Sequence, residues 1–239
     1  MNLSIIIPAN KEAENIKTTL LNLKEIIKGD YEVIVIDDYS ADETYRIVEE
    51  MLYNFPQLRL LRNSYKRGFG NALKTGINAA QGQVIIPVMA DLSDELEIIS
   101  RMYIKILEGD DIVCTSRYIK GGKRQGGPIL KAFLSRYSSW LIHKITKIPA
   151  TDLANSFKAY RKSVLENLLI KSNGFEISME IALKAYLKGY KIAEIPTRWR
   201  ERTTGQSHFA ILRDGIKFVK WFIFGLCTPL KSKIRVHKF

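Results

Sequence analysis

Acidic residues stand where two apolar runs end. Asp37-Asp38 closes Glu32–Ile36, and Asp91 lies in Val88-Met89-Ala90-Asp91-Leu92-Ser93-Asp94, just past Val84–Val88. Carboxylates at strand ends can accept hydrogen bonds from a base or a ribose hydroxyl, or hold a cation. Asp91 can ligate Mg²⁺ or Mn²⁺, hard ions that bridge diphosphates. The plainer readings are a solvated turn at Asp37-Asp38, with Asp42 capping the next helix, and a helix cap at Ser93 or Asp94. Two further carboxylates, Asp152 and Glu180, are candidates for a general base. Glu180 lies among Ile177, Met179, Ile181 and Leu183, where burial would raise its pKa, and a structural role is the alternative. Gly68-Phe69-Gly70 is not read as a dinucleotide fingerprint, because it does not directly follow a strand and Leu73 replaces the third small residue.

The cationic residues lie elsewhere. Between Ile112 and Thr151 there are eight Lys or Arg and no Asp or Glu. The whole chain of 239 residues carries 37 basic and 25 acidic side chains, net +12. Residues 1–111 sum to −6 and residues 112–239 to +18. An acidic first half, and a basic loop without interleaved aromatics, argue against a nucleic-acid-binding module. A hydrophobic content of 46% excludes a disordered chain. Cys114 and Cys227 each sit in an apolar run and read as buried reduced thiols of a cytosolic protein. His143, His208 and His237 lack ligand spacing, so zinc is not expected. No secretory signal is visible, and Trp221–Leu230 is half of the ~20 residues a spanning helix needs. A soluble or peripheral protein is expected.

These residues need elements to position them. Strand-length runs at Ser4–Ile7, Glu32–Ile36, Leu58–Leu61, Val84–Val88 and Asp111–Thr115 alternate with helical patterns. The helices carry Ile16, Leu20, Leu23 and Ile27; Val48, Met51 and Leu52; Leu73, Gly76, Ile77 and Ala80; and Leu96, Ile99, Tyr103 and Ile106. Such β–α repetition predicts an α/β domain with a mostly parallel sheet covered on both faces. Residues 117–128 read as a Gly-rich basic loop too rich in turn formers for regular structure, followed by a helix with Leu130, Phe133, Leu134, Tyr137 and Leu141. Strands at 156–160 and 191–195 flank a helix at Glu176–Lys188. Near the end, Ile211, Leu212, Ile216, Val219, Phe222, Ile223 and Leu226 form an apolar stripe, with Arg213, Lys217 and Lys220 opposite. Lys231, Lys233, Arg235 and Lys238 follow it. This basic amphipathic helix suits an anionic membrane surface, and packing on the core or an oligomer contact is the alternative. The expected division is a domain at 1–210 and a basic C-terminal segment at 211–239.

The order of the motifs carries a resemblance. Pro8-Ala9-Asn10-Lys11-Glu12, Val35-Ile36-Asp37-Asp38-Tyr39-Ser40 and Met89-Ala90-Asp91-Leu92-Ser93-Asp94 follow the first, second and fourth strands. Thr115-Ser116-Arg117-Tyr118, Asn155-Ser156-Phe157-Lys158-Ala159-Tyr160 and Gly205-Gln206-Ser207 come after them. Over roughly residues 3–210 this set resembles family 2 glycosyltransferases of the dolichol-phosphate mannose synthase-like, polyprenyl-phosphate branch.

The resemblance implies a GT-A (Rossmann-like) fold, a nucleotide-diphosphate sugar donor, a divalent cation (Mg²⁺ or Mn²⁺) and inverting transfer of a hexose to a polyprenyl phosphate. Carried over by position, Pro8, Asn10 and Glu12 border the nucleotide and Asp38 contacts the base, with Asp37, Ala90 and Asp91 in the same donor site. Asp91 matches the last aspartate of the family's DxD metal motif, with Ser93 or Asp94 as helpers; Met89 stands at the first position, and a thioether is a poor ligand for these ions. Arg117, Lys131 and Ser135 match the lipid-phosphate site, with Lys131 where arginine is common. Arg202, which would join Arg117 and Lys131 in holding the incoming phosphate, lies in a stretch, 196–208, that resembles the family's loop near the active site, with His208 where lysine is frequent. The implied place of work is the cytoplasmic face of a membrane, without nucleic acid. Transfer to a sugar hydroxyl of a surface polysaccharide is the alternative within the class. A nucleotidyltransferase would need a Gly-rich basic segment directly after the first strand, which Ala9-Asn10-Lys11-Glu12 does not supply.

Overall fold

The computed structural model describes residues 2–202, 204 and 211–227, leaving aside the side chains of Leu130, Lys131 and residues 211–213. Gly205-Gln206-Ser207, His208 and the basic tail therefore lie outside the described residues.

Strands β1 (Leu3–Ala9) and β2 (Tyr31–Asp37) are buried along their whole length. Side chains alternate across a strand, so Leu3, Ile5 and Ile7 enter one core layer while Ile6 enters the other. Burial on both faces is why these strands read as continuous apolar runs. Beside them lie β3 (Leu58–Arg62), β4 (Val84–Pro87), β5 (Ile112–Ser116), β7 (Lys158–Arg161) and β8 (Ile192–Pro196), in the order β3-β2-β1-β4-β7-β5-β8. Only β7 runs antiparallel to its neighbours β4 and β5. Helices α1 (Ile16–Ile26), α2 (Thr44–Leu52) and α4 (Ile99–Leu107) border the first core layer; α3 (Phe69–Ala79) and α7 (Ile177–Leu187) pack in the second.

Strand order reverses direction at β1, whose neighbours are β2 on one side and β4 on the other. Pairing of β1 with β4 stops at Ile6–Pro87, apart from the Val88 amide reaching Ile6 O at 2.9 Å. Pro8, lacking an N–H, comes just after this point and needs no partner on that side. The crevice opened there lies at the carboxyl ends of the strands, where open α/β sheets bind ligands.

Three local expectations are corrected. The basic loop contains a strand, β6 (Lys123–Gln125), paired in parallel with β9 (Arg198–Arg200) as a separate small sheet. Cys114 is buried but Cys227 is exposed. Neither Ser93 nor Asp94 caps a helix; the 3₁₀ turn Leu96–Ile98 that leads into α4 follows Glu95 and has no side-chain cap. Helix α5 (Ile129–Thr146) does not bury its aromatic side: Ile129, Phe133, Tyr137 and Trp140 are 86%, 63%, 52% and 44% exposed. Its buried side is formed by Ser139, Ile142 and Thr146 instead.

The C-terminal helix α8 (Ile211–Cys227) packs against α5 and α7. Trp221 is buried and donates Nε1–H to Ser172 Oγ at 2.8 Å, and Phe218, Phe222 and Phe224 pack on the second core layer. The apolar stripe thus divides, because Ile216, Val219 and Ile223 face outward. Among the described residues no helix is long and apolar enough to cross a membrane.

Candidate active site

The loops after β1, β2 and β4 meet in the crevice. Asn10 donates its amide to Asp38 O at 2.6 Å and accepts Arg67 Nη2 at 2.5 Å. Asp37 is buried and accepts the Ser40 amide at 3.2 Å. Asp38 is buried too, and its carboxylate accepts the Gly68 amide at 2.9 Å and Asn63 Nδ2 at 2.6 Å. Asp38 is thereby fixed in orientation, and it fixes the start of α3. Gly68 and Gly70 serve that packing: a Cβ on Gly70 would lie 2.7 Å from the Asn173 backbone, and Gly68 holds φ near +152°.

Asp91 is held in a tight turn made by Leu92, whose φ is +61°. Its Oδ1 accepts the Ser93 amide at 3.1 Å, and its Oδ2 accepts Arg202 Nη2 at 2.6 Å. The same nitrogen lies 3.1 Å from Glu12 Oε1. Burial raises the pKa of Glu12, nearby Asp91 adds to the rise, and Arg202 opposes it. Ala90 is buried and its carbonyl accepts the Thr19 hydroxyl at 2.8 Å. Asp94 accepts the Met89 amide at 2.9 Å and is pushed up to about 7, chiefly by burial with repulsion from Asp91. Arg117 lies close enough to pull the other way, so Asp94 joins this cluster to the next.

The second cluster grows from the end of β5. Arg117 Nε and Nη2 lie 2.7 and 2.8 Å from the two oxygens of Asp152, and Nη2 reaches Ser135 Oγ at 3.5 Å. Burial alone would weaken the protonation of Arg117, but Asp152 overrides it and holds the guanidinium more firmly charged. Tyr118 and Trp199 stand 5.2 and 5.9 Å from that guanidinium, and Arg124 lies over Trp199 at 4.9 Å. Lys131 falls in the first turn of α5, one turn before Ser135, and its side chain lies outside the described residues.

Both candidate bases are committed elsewhere. Asp152 is fully buried against Arg117. Glu180 accepts the amides of Lys171 and Ser172 at 2.8 and 2.6 Å and pairs with Lys184. Burial pushes its carboxyl up, but these bonds together win and hold it below the ordinary range, the reverse of the expected shift. Glu180 instead clamps the segment ahead of α7.

Some contributors are not legible as such in the sequence. Trp199 is carried to Arg117 by β9, which pairs with β6. Lys158 is fully buried, donates to the carbonyls of Leu153 and Asn155, and has its pKa lowered by burial. Asn155 in turn donates to Thr115 Oγ1 at 2.8 Å, which fixes the loop that delivers Asp152. Among the described residues no group of three His, Cys, Asp or Glu is arranged to hold a metal.

Comparison with known proteins follows the same geography. Glycosyl transferase family 2 matches residues 4–169, the stretch containing every strand-end carboxylate and Arg117. The chain belongs to this family. A dolichol-phosphate mannosyltransferase of Pyrococcus furiosus is 31% identical over 92% of the chain, which spans 64% of that relative's length. A polyprenol monophosphomannose synthase of Mycolicibacterium smegmatis is 24% identical over 97% of the chain and 91% of its own. A solved structure of glucosyl-3-phosphoglycerate synthase from Mycobacterium tuberculosis, in complex with Mn²⁺, UDP and glucosyl-3-phosphoglycerate, superposes with a TM-score of 0.71. It shares 14% identity, over 95% of this chain and 81% of that one. The family 2 domain therefore has the expected GT-A fold.

Proposed function

We propose that this family 2 glycosyltransferase moves a hexose, with inversion, from a nucleotide-diphosphate sugar of GDP-mannose or UDP-glucose type to a polyprenyl phosphate. The observation that carries the reading is the seat around Arg117. A guanidinium oriented by Asp152, with Ser135 in reach and aromatic walls, is built to hold a phosphate. It stands beside the carboxylate crevice that suits a donor nucleotide.

A phosphate acceptor is already ionised at neutral pH, so positioning and electrostatics suffice. The commitment of Asp152 and Glu180 to ion pairs supports this over a sugar hydroxyl, whose attack needs a free base. Arg117, Ser135 and Lys131 would hold the acceptor phosphate at the anomeric carbon. Pro8, Asn10, Glu12, Asp37, Asp38 and Ala90 would shape the donor pocket.

The donor set fits a hard divalent cation, because Asp91 and Glu12 aim carboxylate oxygens at one point while Met89 offers only a thioether. We assign Mg²⁺ or Mn²⁺ to Asp91, beside Ser93. When bound, the ion offsets charge growing on the leaving diphosphate.

The outward stripes of α5 and α8 support work at the cytoplasmic face of an anionic membrane, with the domain at 1–210 and the segment at 211–239 meeting that surface together. Phe133, Tyr137 and Trp140 form a continuous aromatic ladder, and Lys144 stands over Trp140 at 5.0 Å. Incubation with labelled GDP-mannose or UDP-glucose, Mn²⁺ and a polyprenyl phosphate in vesicles tests the reading. Expected is lipid-linked sugar that alkali-stable chromatography separates; sugar transfer only to free hydroxyl acceptors would overturn it.

A further inference from the structure

We infer that Glu12 and Asp91 form one cation seat, for which the Arg202 guanidinium and a divalent metal ion are mutually exclusive occupants. The inference rests on the donor-site reading above and deepens it. Arg202 Nη2 lies 2.6 Å from Asp91 Oδ2 and 3.1 Å from Glu12 Oε1. All three side chains are at most 10% exposed. Two buried carboxylates facing each other repel and lose hydration, so the pair needs a cation whenever it is ionised. In this structure the chain supplies its own.

The geometry makes the exchange exclusive. A metal ion held by these carboxylates would compete with that nitrogen for the same two oxygens. The backbone that presents Arg202 is tied to the same loops on both sides. The Arg200 amide donates to Ser93 O at 3.2 Å, and Thr204 Oγ1 donates to Asn15 Oδ1 at 2.6 Å. Asn15 in turn lies 3.4 Å from Glu12 Oε2. The guanidinium is therefore presented between anchors at Arg200 and Thr204, and a metal would have to displace the side chain to bind. A donor diphosphate would favour that displacement, by adding oxygens to the ion and an anion for the released guanidinium.

The test is Mn²⁺ binding to the nucleotide-free full chain, followed by loss of the free-ion EPR signal. Arg202→Gln is expected to bind Mn²⁺ at least tenfold more tightly than wild type. Arg202→Lys, which keeps the charge, should stay near wild type, and Glu12→Gln added to Arg202→Gln should abolish the gain. Binding by Arg202→Gln no tighter than wild type, or a gain that survives loss of Glu12, overturns the inference. If Arg202→Gln does not fold, the exchange is read in wild type by NMR of ¹⁵N-labelled arginine side chains, with the Arg202 signal identified through Arg202→Lys. That signal should shift as Mg²⁺ binds, and one unmoved at saturating Mg²⁺ overturns the inference. Sugar transfer by wild type is measured separately. Its absence with the exchange intact counts against the functional reading and not against the seat.

Discussion

Arg117 and Asp152 meet through two parallel contacts of 2.7 and 2.8 Å, and Asp152 is fully buried beneath the pair. The carboxylate fixes the direction of the guanidinium fork, leaving its outer edge for Ser135 and an incoming anion. Losing one partner leaves the other charged, desolvated and unpaired, which costs about 3–5 kcal/mol.

Arg117→Ala should therefore lower transfer to polyprenyl phosphate by roughly 10²-fold or more, as loss of a phosphate-orienting donor does. Donor nucleotide affinity, read by calorimetry, should stay near wild type. Asp152→Asn should reduce transfer as well and raise the acceptor KM, since the fork loses its second anchor.

Lys158 acts one step further from Arg117. Lys158→Met strands two buried carbonyls, at Leu153 and Asn155, for a cost of about 1–3 kcal/mol. Thermal melting should show that loss. Steady-state kinetics should show a higher KM for the lipid acceptor with little change for the nucleotide sugar.

Glu180 makes stability fall in acid. Its folded pKa lies below the unfolded value near 4.5, so its contribution is fully present above that value. The contribution is lost as pH falls through the depressed folded value. Glu180→Gln should lower Tm at pH 7 and flatten its decline on acidification, as measured by calorimetry from pH 7 to pH 3.

Phe133 and Trp140 project from α5 without serving the core. Replacing both with Ser should weaken partitioning onto anionic vesicles, read by flotation, by roughly 10²-fold or more, because each buried aromatic contributes about 1.5–3 kcal/mol. Tm should change little, and transfer to a short-chain soluble acceptor should persist.

Gly70 sits where the start of α3 touches backbone. Gly70→Ala would drive a methyl to 2.7 Å from Asn173, and main chain cannot swing aside as a long side chain can. A loss of about 1–3 kcal/mol is expected in denaturant melts.

The elements that position the donor crevice are legible because their signal is local. β1 and β2 are buried on both faces and so read as unbroken apolar runs, while α1 and α4 repeat at helical spacing. Pro8, Asp37, Asp38 and Asp91 then fall at strand ends without any tertiary knowledge. Partners distant in the chain are not legible. Arg202 meets Glu12 across 190 positions, and Trp199 reaches Arg117 from a parallel pair of three-residue strands too short to leave a periodic pattern. The outward turn of α5 escapes for another reason. Aromatic residues at helical spacing look the same whether they face a core or a bilayer, and only packing of Ile142 and Thr146 decides the rotation. Burial was visible at Glu180, but the two amides and Lys184 that reverse its effect come from its fold.

The strap from β9 to Arg202 has a thermodynamic meaning. Trp199, beside Arg117, and Arg202, on Asp91 and Glu12, are three residues apart on one segment. On the proposed reading these contacts mark the acceptor and donor sites, so a shift of the segment at one end that alters the other would give the two substrates a shared coupling free energy. Linkage makes that energy symmetric: whatever factor the donor imposes on acceptor affinity, the acceptor returns to the donor.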